Sequence, residues 1–228
     1  CTNSGTRCDM KYYKGKVEAV RIRQDSSELH LIVDDNLEDL RRQRCREVQV
    51  GIDDGRTISP AQRRKAYATL RDIGDYTGYA PEEIKQIMKI EHMLRVGAQK
   101  VISLSDCTMT DAREFINTLM EYALKEGIIL TESGLMRTDD IDCYLIQCIR
   151  YRRCCICGKP ADIHHVDAIG MGRNRQQVDD SGYEIAALCR MHHTISHQMG
   201  WDRFADSYHV YGIRRDRTEV DNEQSHHK

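Results

Sequence analysis

The feature that most constrains this chain is the order of sulfur and imidazole side chains in its C-terminal third. Cys154-x-x-Cys157 is followed by His164-His165 and then by Cys189-x-x-His192-His193-x-x-x-His197. Two residues between a pair of ligands let a tight knuckle or one helical turn aim both side chains at one ion. Cys154, Cys157, Cys189 and His192 therefore supply four donors for a closed tetrahedral zinc site. His193 and His197 stand at i and i+4, on one face of a helix, where they can share a second cation. His192 and His193 lie about 100° apart around such a helix, so adjacent histidines can serve different ions. Two sites are expected: a structural zinc, and a site with imidazole ligands and open coordination, the arrangement that suits catalysis. The 31 residues between the two pairs (158–188) are too many for a DNA-reading zinc finger.

Composition narrows the setting. Ten cysteines in 228 residues would suit a secreted disulfide scaffold, but a chain of this size with 40% hydrophobic residues can build a core without one. Half of the cysteines are scattered singly, and a reducing cytoplasm fits that usage better. No stretch approaches the roughly 18 to 20 apolar residues of a membrane span, and no membrane partner is expected. Residues 1–150 carry 23 Lys/Arg against 25 Asp/Glu and residues 151–228 carry 11 against 11, a net charge of −2. A polycation is excluded, so nucleic acid would be met through local basic patches and bound metal.

The front of the chain reads as α+β, strands first. Lys16 to Arg23, then Leu29, Leu31 and Val33, then Val48, Val50 and Ile52 alternate as three strands. Between the second and third lies a charged segment with Arg41, Arg42, Arg44 and Arg46. Met10 opens the first strand-like run and is expected to be the natural start, with residues 1–9 a leader outside the fold. Ser59-Pro60-Ala61-Gln62 supplies an N-cap, a first-turn proline and a capping-box glutamine for a helix to about Tyr76. A second helix, from Pro81 to Gly97, is expected to bury Ile84, Ile87, Met88 and one of Met93 and Leu94. A third, from Thr110 to Gly127, carries Phe115, Leu119, Tyr122 and Ala123 on one face. The fourth, from about Thr138, places Ile141, Tyr144, Leu145, Cys148 and Ile149 at core spacing. Basic clusters at Arg63, Arg64 and Lys65, and at Arg152 and Arg153 beside the metal ligands, are candidate DNA contacts.

The segments Cys154-Cys155-Ile156-Cys157, Ile163-His164-His165-Val166 and Leu188-Cys189-Arg190-Met191-His192-His193-Thr194-Ile195-Ser196-His197 closely resemble the HNH family of nucleases. That family has a ββα-metal fold, with a histidine pair on a strand and further ligands on the following helix. The resemblance implies that His164, His193 and His197 hold a catalytic divalent cation (Mg²⁺, Mn²⁺, Ni²⁺ or Zn²⁺) and that His165 is the general base. Imidazole takes and gives protons near neutral pH. Arg173 and Arg175, in a glycine-flanked stretch, are candidate phosphate clamps. The position that usually carries asparagine is Glu184 here, so Glu184, Asn174 or Asp167 would have to brace the loop behind the base.

Arg56 to Tyr67, the Pro81-Glu82-Glu83-Ile84-Lys85 helix start, and Ser103 to Thr110 leading into Glu114-Phe115-Ile116 are similar to phage NinB-type (Orf) recombination mediators. Such proteins bind single-stranded DNA and often form homodimers. The whole chain resembles phage HNHc nuclease proteins. The expected organisation is a NinB-like α+β domain over residues 10–150, an HNH domain over 151–212 and a mobile tail over 213–228. The resemblance implies a DNA endonuclease of phage recombination or replication in the bacterial host cytoplasm. Its substrate would be single-stranded or branched DNA, and its partners recombination proteins. The competing reading is a non-catalytic single-stranded-DNA-binding mediator with a structural zinc domain. A zinc-stabilised protein-interaction module leaves His165, His193 and His197 without a purpose.

Overall fold

The computed structural model describes residues 15–23, 26–33, 55–166 and 183–214. The chain divides into two compact units, residues 9–52 and a second holding everything from residue 53 onward. In the first, β1 (Gly15–Ile22) and β2 (Ser27–Val33) form an antiparallel hairpin that pairs Val17 with Leu31 and Val20 with Leu29. The expected third strand, the arginines at 41–46 and residues 1–9 lie outside the described residues.

The second unit is mixed α/β, with a three-stranded sheet and, among the described residues, seven helices. Helix α1 (Pro60–Thr77) starts where its sequence requires: Gln62 N donates to Ser59 Oγ at 3.1 Å, and Ser59 N donates to Gln62 Oε1 at 3.0 Å. These reciprocal bonds satisfy two backbone donors that a bare helix end would leave open. Helix α2 (Pro81–Val96) buries Ile84, Met88 and His92, a strict i, i+4, i+8 row. Ile87, expected inside, is 40% exposed, because that row turns the helix so that it faces away from the core; of the alternatives Met93 and Leu94, Met93 is half-buried and Leu94 is 69% exposed.

Helix α3 (Met109–Glu126) is the centre of the unit, with Phe115, Ile116, Leu119, Met120 and Ala123 all at most 1% exposed. Tyr122 is only half-buried. A short turn, α4 (Gly134–Arg137), leads into α5 (Ile141–Arg150), which Asp140 caps by accepting from Cys143 N at 3.0 Å. Tyr144, Leu145, Cys148 and Ile149 are buried as their spacing requires, whereas Ile141, in the first turn, is 40% exposed. At Gly134 any Cβ would overlap the Tyr144 hydroxyl, which donates to Cys155 O at 3.2 Å. One cluster of buried side chains runs from Ile58 through the helices to Ile213, so residue 150 is no gap in the core. No helix among the described residues is long and apolar enough to cross a membrane.

Two polar features are buried in this unit. Asp72 accepts from Thr131 N and Oγ1 at 3.2 and 3.0 Å and pairs with Arg137 Nη2 at 3.4 Å, both charged side chains being about 95% covered. Glu132 lies 3.0 Å from Arg137 Nε, close enough to pair as a charge although off the N–H direction. Removing one partner of a buried ion pair leaves the other charge uncompensated. Asp72→Ala should therefore lower unfolding free energy by about 3 kcal/mol, measured by urea titration. The second feature is His92. Its Nδ1 lies 2.8 Å from Thr118 Oγ1, and that hydroxyl donates to Glu114 O at 3.0 Å. Nδ1 must then be the donor, which sets the tautomer. Burial, with Arg95 adding to it, lowers the His92 pKa to about 4. The unfolded chain protonates first, near 6.5. The stability tied to neutral His92 is thus full above about pH 6.5 and is lost as the pH falls towards 4. His92→Gln should flatten the fall in urea midpoint between pH 7 and pH 4.5; an unchanged slope would contradict this.

Candidate metal centre

Strand β3 (Asp162–His165) pairs antiparallel with β4 (Glu184–Leu188), placing His164 opposite Ala186 and His165 opposite Ile185. Residues 185–188, Ile-Ala-Ala-Leu, are all buried, as befits a middle strand flanked by β3 and by β5 (Ile213–Arg214). Cys189 follows at once and is the N-cap of α6 (Arg190–Met199). Gly200 (φ 83°) turns the chain into α7 (Trp201–Tyr208).

The first cluster forms where the Cys154 knuckle meets the start of α6. Gly158 (φ 70°) closes the knuckle in a backbone conformation that suits glycine, and its N–H donates to Cys154 O at 2.8 Å. Cys155 N donates to Ala187 O at 3.0 Å, fastening the knuckle to β4. Across the cluster, His192 Nδ1 lies 3.3 Å from both Cys154 Sγ and Cys189 Sγ, and Cys157 Sγ lies 3.7 Å from Cys189 Sγ. A tetrahedral zinc with bonds of about 2.3 Å to sulfur and about 2.0 Å to nitrogen has edges of roughly 3.5 to 3.8 Å. The separations match to within a few tenths of an ångström. Cys154, Cys157, Cys189 and His192 thus form a metal site whose spacing and donor set fit zinc.

Electrostatics separates Cys189 from the other buried cysteines. At Cys189, burial opposes ionisation, but the His192 backbone N–H, the Cys157 and Cys154 side chains and the Met191 N–H outweigh it and lower the pKa. Exposed amides at a helix start favour a thiolate in this way. Burial pushes Cys154 up to about 12, so without a cation it keeps its proton. Burial also raises Cys148 and Cys155, which stand outside the cluster as inert core residues.

The second cluster joins β3 to α6. The ligand nitrogens of His164, His193 and His197 lie within 4.8 Å of one another. The His164 ring meets His193 and His197 edge-on, at centroid separations of 4.8 and 5.0 Å, and Trp201 stacks against its face at 5.3 Å. His164 is buried; His193 is half-buried and His197 exposed, so the cluster opens to solvent on the α6 side. Burial, then the neighbouring His193, His197 and His165, lowers the His164 pKa to about 4, and burial likewise lowers that of His193. Both are therefore neutral at pH 7, the form that binds cations. Three nitrogens on an ion at about 2.0 Å lie roughly 3.4 Å apart, so small rotations of the exposed rings would close the set.

His165 ends β3, half-buried. Its Nδ1 is buried without a hydrogen-bond partner among the described residues, which leaves Nε2 as the nitrogen that reaches solvent. Glu184 begins β4, where its carbonyl accepts from Val166 N at 2.9 Å and its side chain packs so closely on Gly212 that a Cβ there would overlap it. Arg173, Arg175, Asn174 and Asp167 lie outside the described residues. Of the basic candidates, Arg64 and Arg152 are exposed, the latter at φ 52°. The others hold the fold. Arg153 Nε donates to Leu124 O at 3.2 Å, capping the end of α3. Arg63 donates to Leu104 O and Ser105 O, and Lys65 to Thr138 O and Asp139 Oδ1.

Sequence reasoning missed α7. Phe204 and Tyr208 pack edge-on or nearly so against the His192 ring, at 6.5 and 5.4 Å, while Trp201 covers His164. The signal was present: Trp201, Phe204 and Tyr208 stand at i, i+3 and i+7 directly after a glycine.

A family model described as "Putative HNHc nuclease" matches residues 32–223, most of the chain. No curated protein and no solved structure matches it. The two clusters make distinct predictions for metal analysis of dialysed protein. Cys189→Ser should lose the tightly held zinc and melt at a lower temperature. His193→Ala should keep that zinc and its melting temperature, and lose only a weaker second equivalent. Loss of all metal from His193→Ala would contradict two separate sites.

Proposed function

The chain belongs to the HNHc nuclease family, and from that premise we propose that it is a metal-dependent DNA endonuclease whose second histidine cluster is the reacting centre. The observation that carries this reading is the convergence of His164, from a strand, with His193 and His197, from the following helix, beside a separate Cys₃His cluster. A purely structural zinc domain has no use for three further imidazoles gathered at an open edge. The antiparallel β3–β4 pair followed by α6 is consistent with the family's ββα-metal arrangement.

Hydrolysis of a phosphodiester needs a deprotonated water, compensation of charge building on the phosphoryl oxygens, and a route for the leaving oxygen. His164, His193 and His197 would hold a divalent cation, which when bound would supply positive charge to offset that building on the phosphoryl oxygens. His165 Nε2 takes the proton of the attacking water, and its place next to His164 at the end of β3 brings base and ligand to the same strand end. Trp201 shields His164 from solvent and fixes its ring plane. Glu184 O holds Val166 N and so anchors the backbone just after the base, a positioning role at the family's asparagine position. Arg173 and Arg175 are assigned to the phosphate oxygens. The front helices' resemblance to NinB-type mediators supports a role in phage recombination, with single-stranded or branched DNA as the substrate.

Purified protein incubated with single-stranded, duplex and branched DNA in Mg²⁺, Mn²⁺ or Ni²⁺ should cut at least one substrate. Chelation should abolish cutting, and His165→Ala should slow it by about 10² to 10⁴ while leaving bound zinc unchanged. Binding without cleavage under every cation would overturn the catalytic reading and favour a DNA-binding mediator.

A further inference from the structure

Helices α1 and α2 carry a second chemical feature, remote in sequence from the metal ligands. Arg63 and Tyr67 are i, i+4 on α1, and Lys85 and Lys89 are i, i+4 on α2, so each pair projects from one helix face. The two pairs line one open cleft of about 430 Å³ together with Ser103, Leu104 and Ser105. That volume falls in the range of about 300 to 1,000 Å³ that holds small ligands, and a nucleotide is of this size.

The charge in the cleft is positive and built in. Arg63 is fixed by donating Nε to Leu104 O at 3.0 Å and Nη2 to Ser105 O at 3.1 Å. Both acceptors are neutral carbonyls, so the guanidinium charge is oriented but not cancelled. Lys89 has no charged partner among the described residues. Lys85 pairs with Glu82 at 2.6 Å, but that carboxylate is 78% exposed and free to swing away when a phosphate competes. Asp106, next along the chain, accepts from Ser105 Oγ at 3.1 Å and stays negative, hydrogen bonds from the Ser103 and Ser105 side chains lowering its pKa, so the three cations of the cleft outnumber two carboxylates, Glu82 and Asp106. Tyr67 is 43% exposed, and the Lys85 ammonium lies over one face of its ring, 5.8 Å from the centroid. A part-exposed aromatic ring among cations suits a single strand: phosphates for the cations, and an unpaired base for the ring face that Lys85 does not cover.

We propose that this cleft is a second nucleic-acid site, which grips a single strand by its phosphates through Lys85, Lys89 and Arg63 and stacks one base on Tyr67. It rests on the nuclease reading only for its choice of a nucleic-acid strand among phosphate ligands. The site would hold the strand away from the reacting histidines, so that the enzyme selects substrates with an unpaired segment.

The test is fluorescence anisotropy of a labelled single-stranded oligonucleotide and of its duplex, across a salt series, with full-length protein carrying His165→Ala so that nothing is cut. Arg63 is left intact because it holds the 104–105 loop. Lys85→Gln with Lys89→Gln should lower the log–log salt slope for the single strand by about 1.4, two contacts at roughly 0.7 each. Tyr67→Ala should weaken single-strand binding by roughly fivefold or more, Tyr67→Phe should restore it, and duplex binding should change in neither. Melting temperatures equal to the parent's would show that the variants fold. A parent that binds while the double lysine variant keeps its slope, or a Tyr67→Ala loss that is equal on duplex, overturns the site and leaves the nuclease reading intact. A parent that binds no single strand also overturns the site, and the nuclease reading falls with it only if the protein with His165 intact cuts no DNA.

Discussion

The second histidine cluster depends on where four other side chains, Cys154, Cys157, Cys189 and His192, come together. Cys154 and Cys157 belong to a knuckle with little internal structure, closed by one glycine and one backbone hydrogen bond. Cys189 and His192 belong to the first turn of a ten-residue helix, too short to be stable alone in water. Neither piece holds its shape independently. Joined through a four-donor site, with Cys155 N bonded to Ala187 O, they fix the direction in which α6 leaves the sheet. Burial raises the Cys154 pKa to about 12, so a cation bound there would have to displace that proton, and its occupancy would depend on acidity.

That fixed helix in turn decides where the second cluster lies. His192 points inward to the sulfurs and against Phe204 and Tyr208; one residue on, His193 points to His164. A helix rotated by a fraction of a turn would spoil both sets together. The buried strand β4 sets the other coordinate, because its register with β3 places His164 opposite Ala186, a residue small enough to leave the imidazole room towards α6. Behind the sheet, α5 and the central α3 supply the apolar mass that keeps β4 in place. The core of the front helices and the support of the metal centre are therefore one structure.

Much of this was legible in the residues because ligands and caps act locally. The Cys-x-x-Cys and Cys-x-x-His pairs, the i, i+4 histidines, and the Ser59–Gln62 capping box each depend on atoms a few residues apart, and all are found as spaced. What could not be read is what depends on distant partners. The rotation of α2, which exposes Ile87 and Leu94, follows the packing of Ile84, Met88 and His92 against other elements, His92 meeting Thr118 on α3. Arg63, Lys65 and Arg153 look like free cations in the sequence, but each meets a carbonyl or carboxylate 29 to 74 positions away. The sequence therefore does not say which cations keep an uncancelled charge: Lys65 meets the Asp139 carboxylate, whereas Arg63 and Arg153 meet neutral carbonyls.

The same reasoning explains why adjacent histidines in one motif can do different work. Along β3 successive side chains face opposite ways, so His164 is buried among imidazoles and under Trp201 while His165 keeps a solvent-reaching nitrogen. Along α6 the 100° step separates His192 from His193. Neither split needs a special residue, only a strand and a helix held at a fixed angle. A buried histidine near other imidazoles is driven neutral and becomes a ligand; one at a strand end with an open nitrogen can carry a proton. The surroundings of each ring follow from the element that presents it, and the Cys154, Cys157, Cys189 and His192 cluster is where the knuckle and α6 meet.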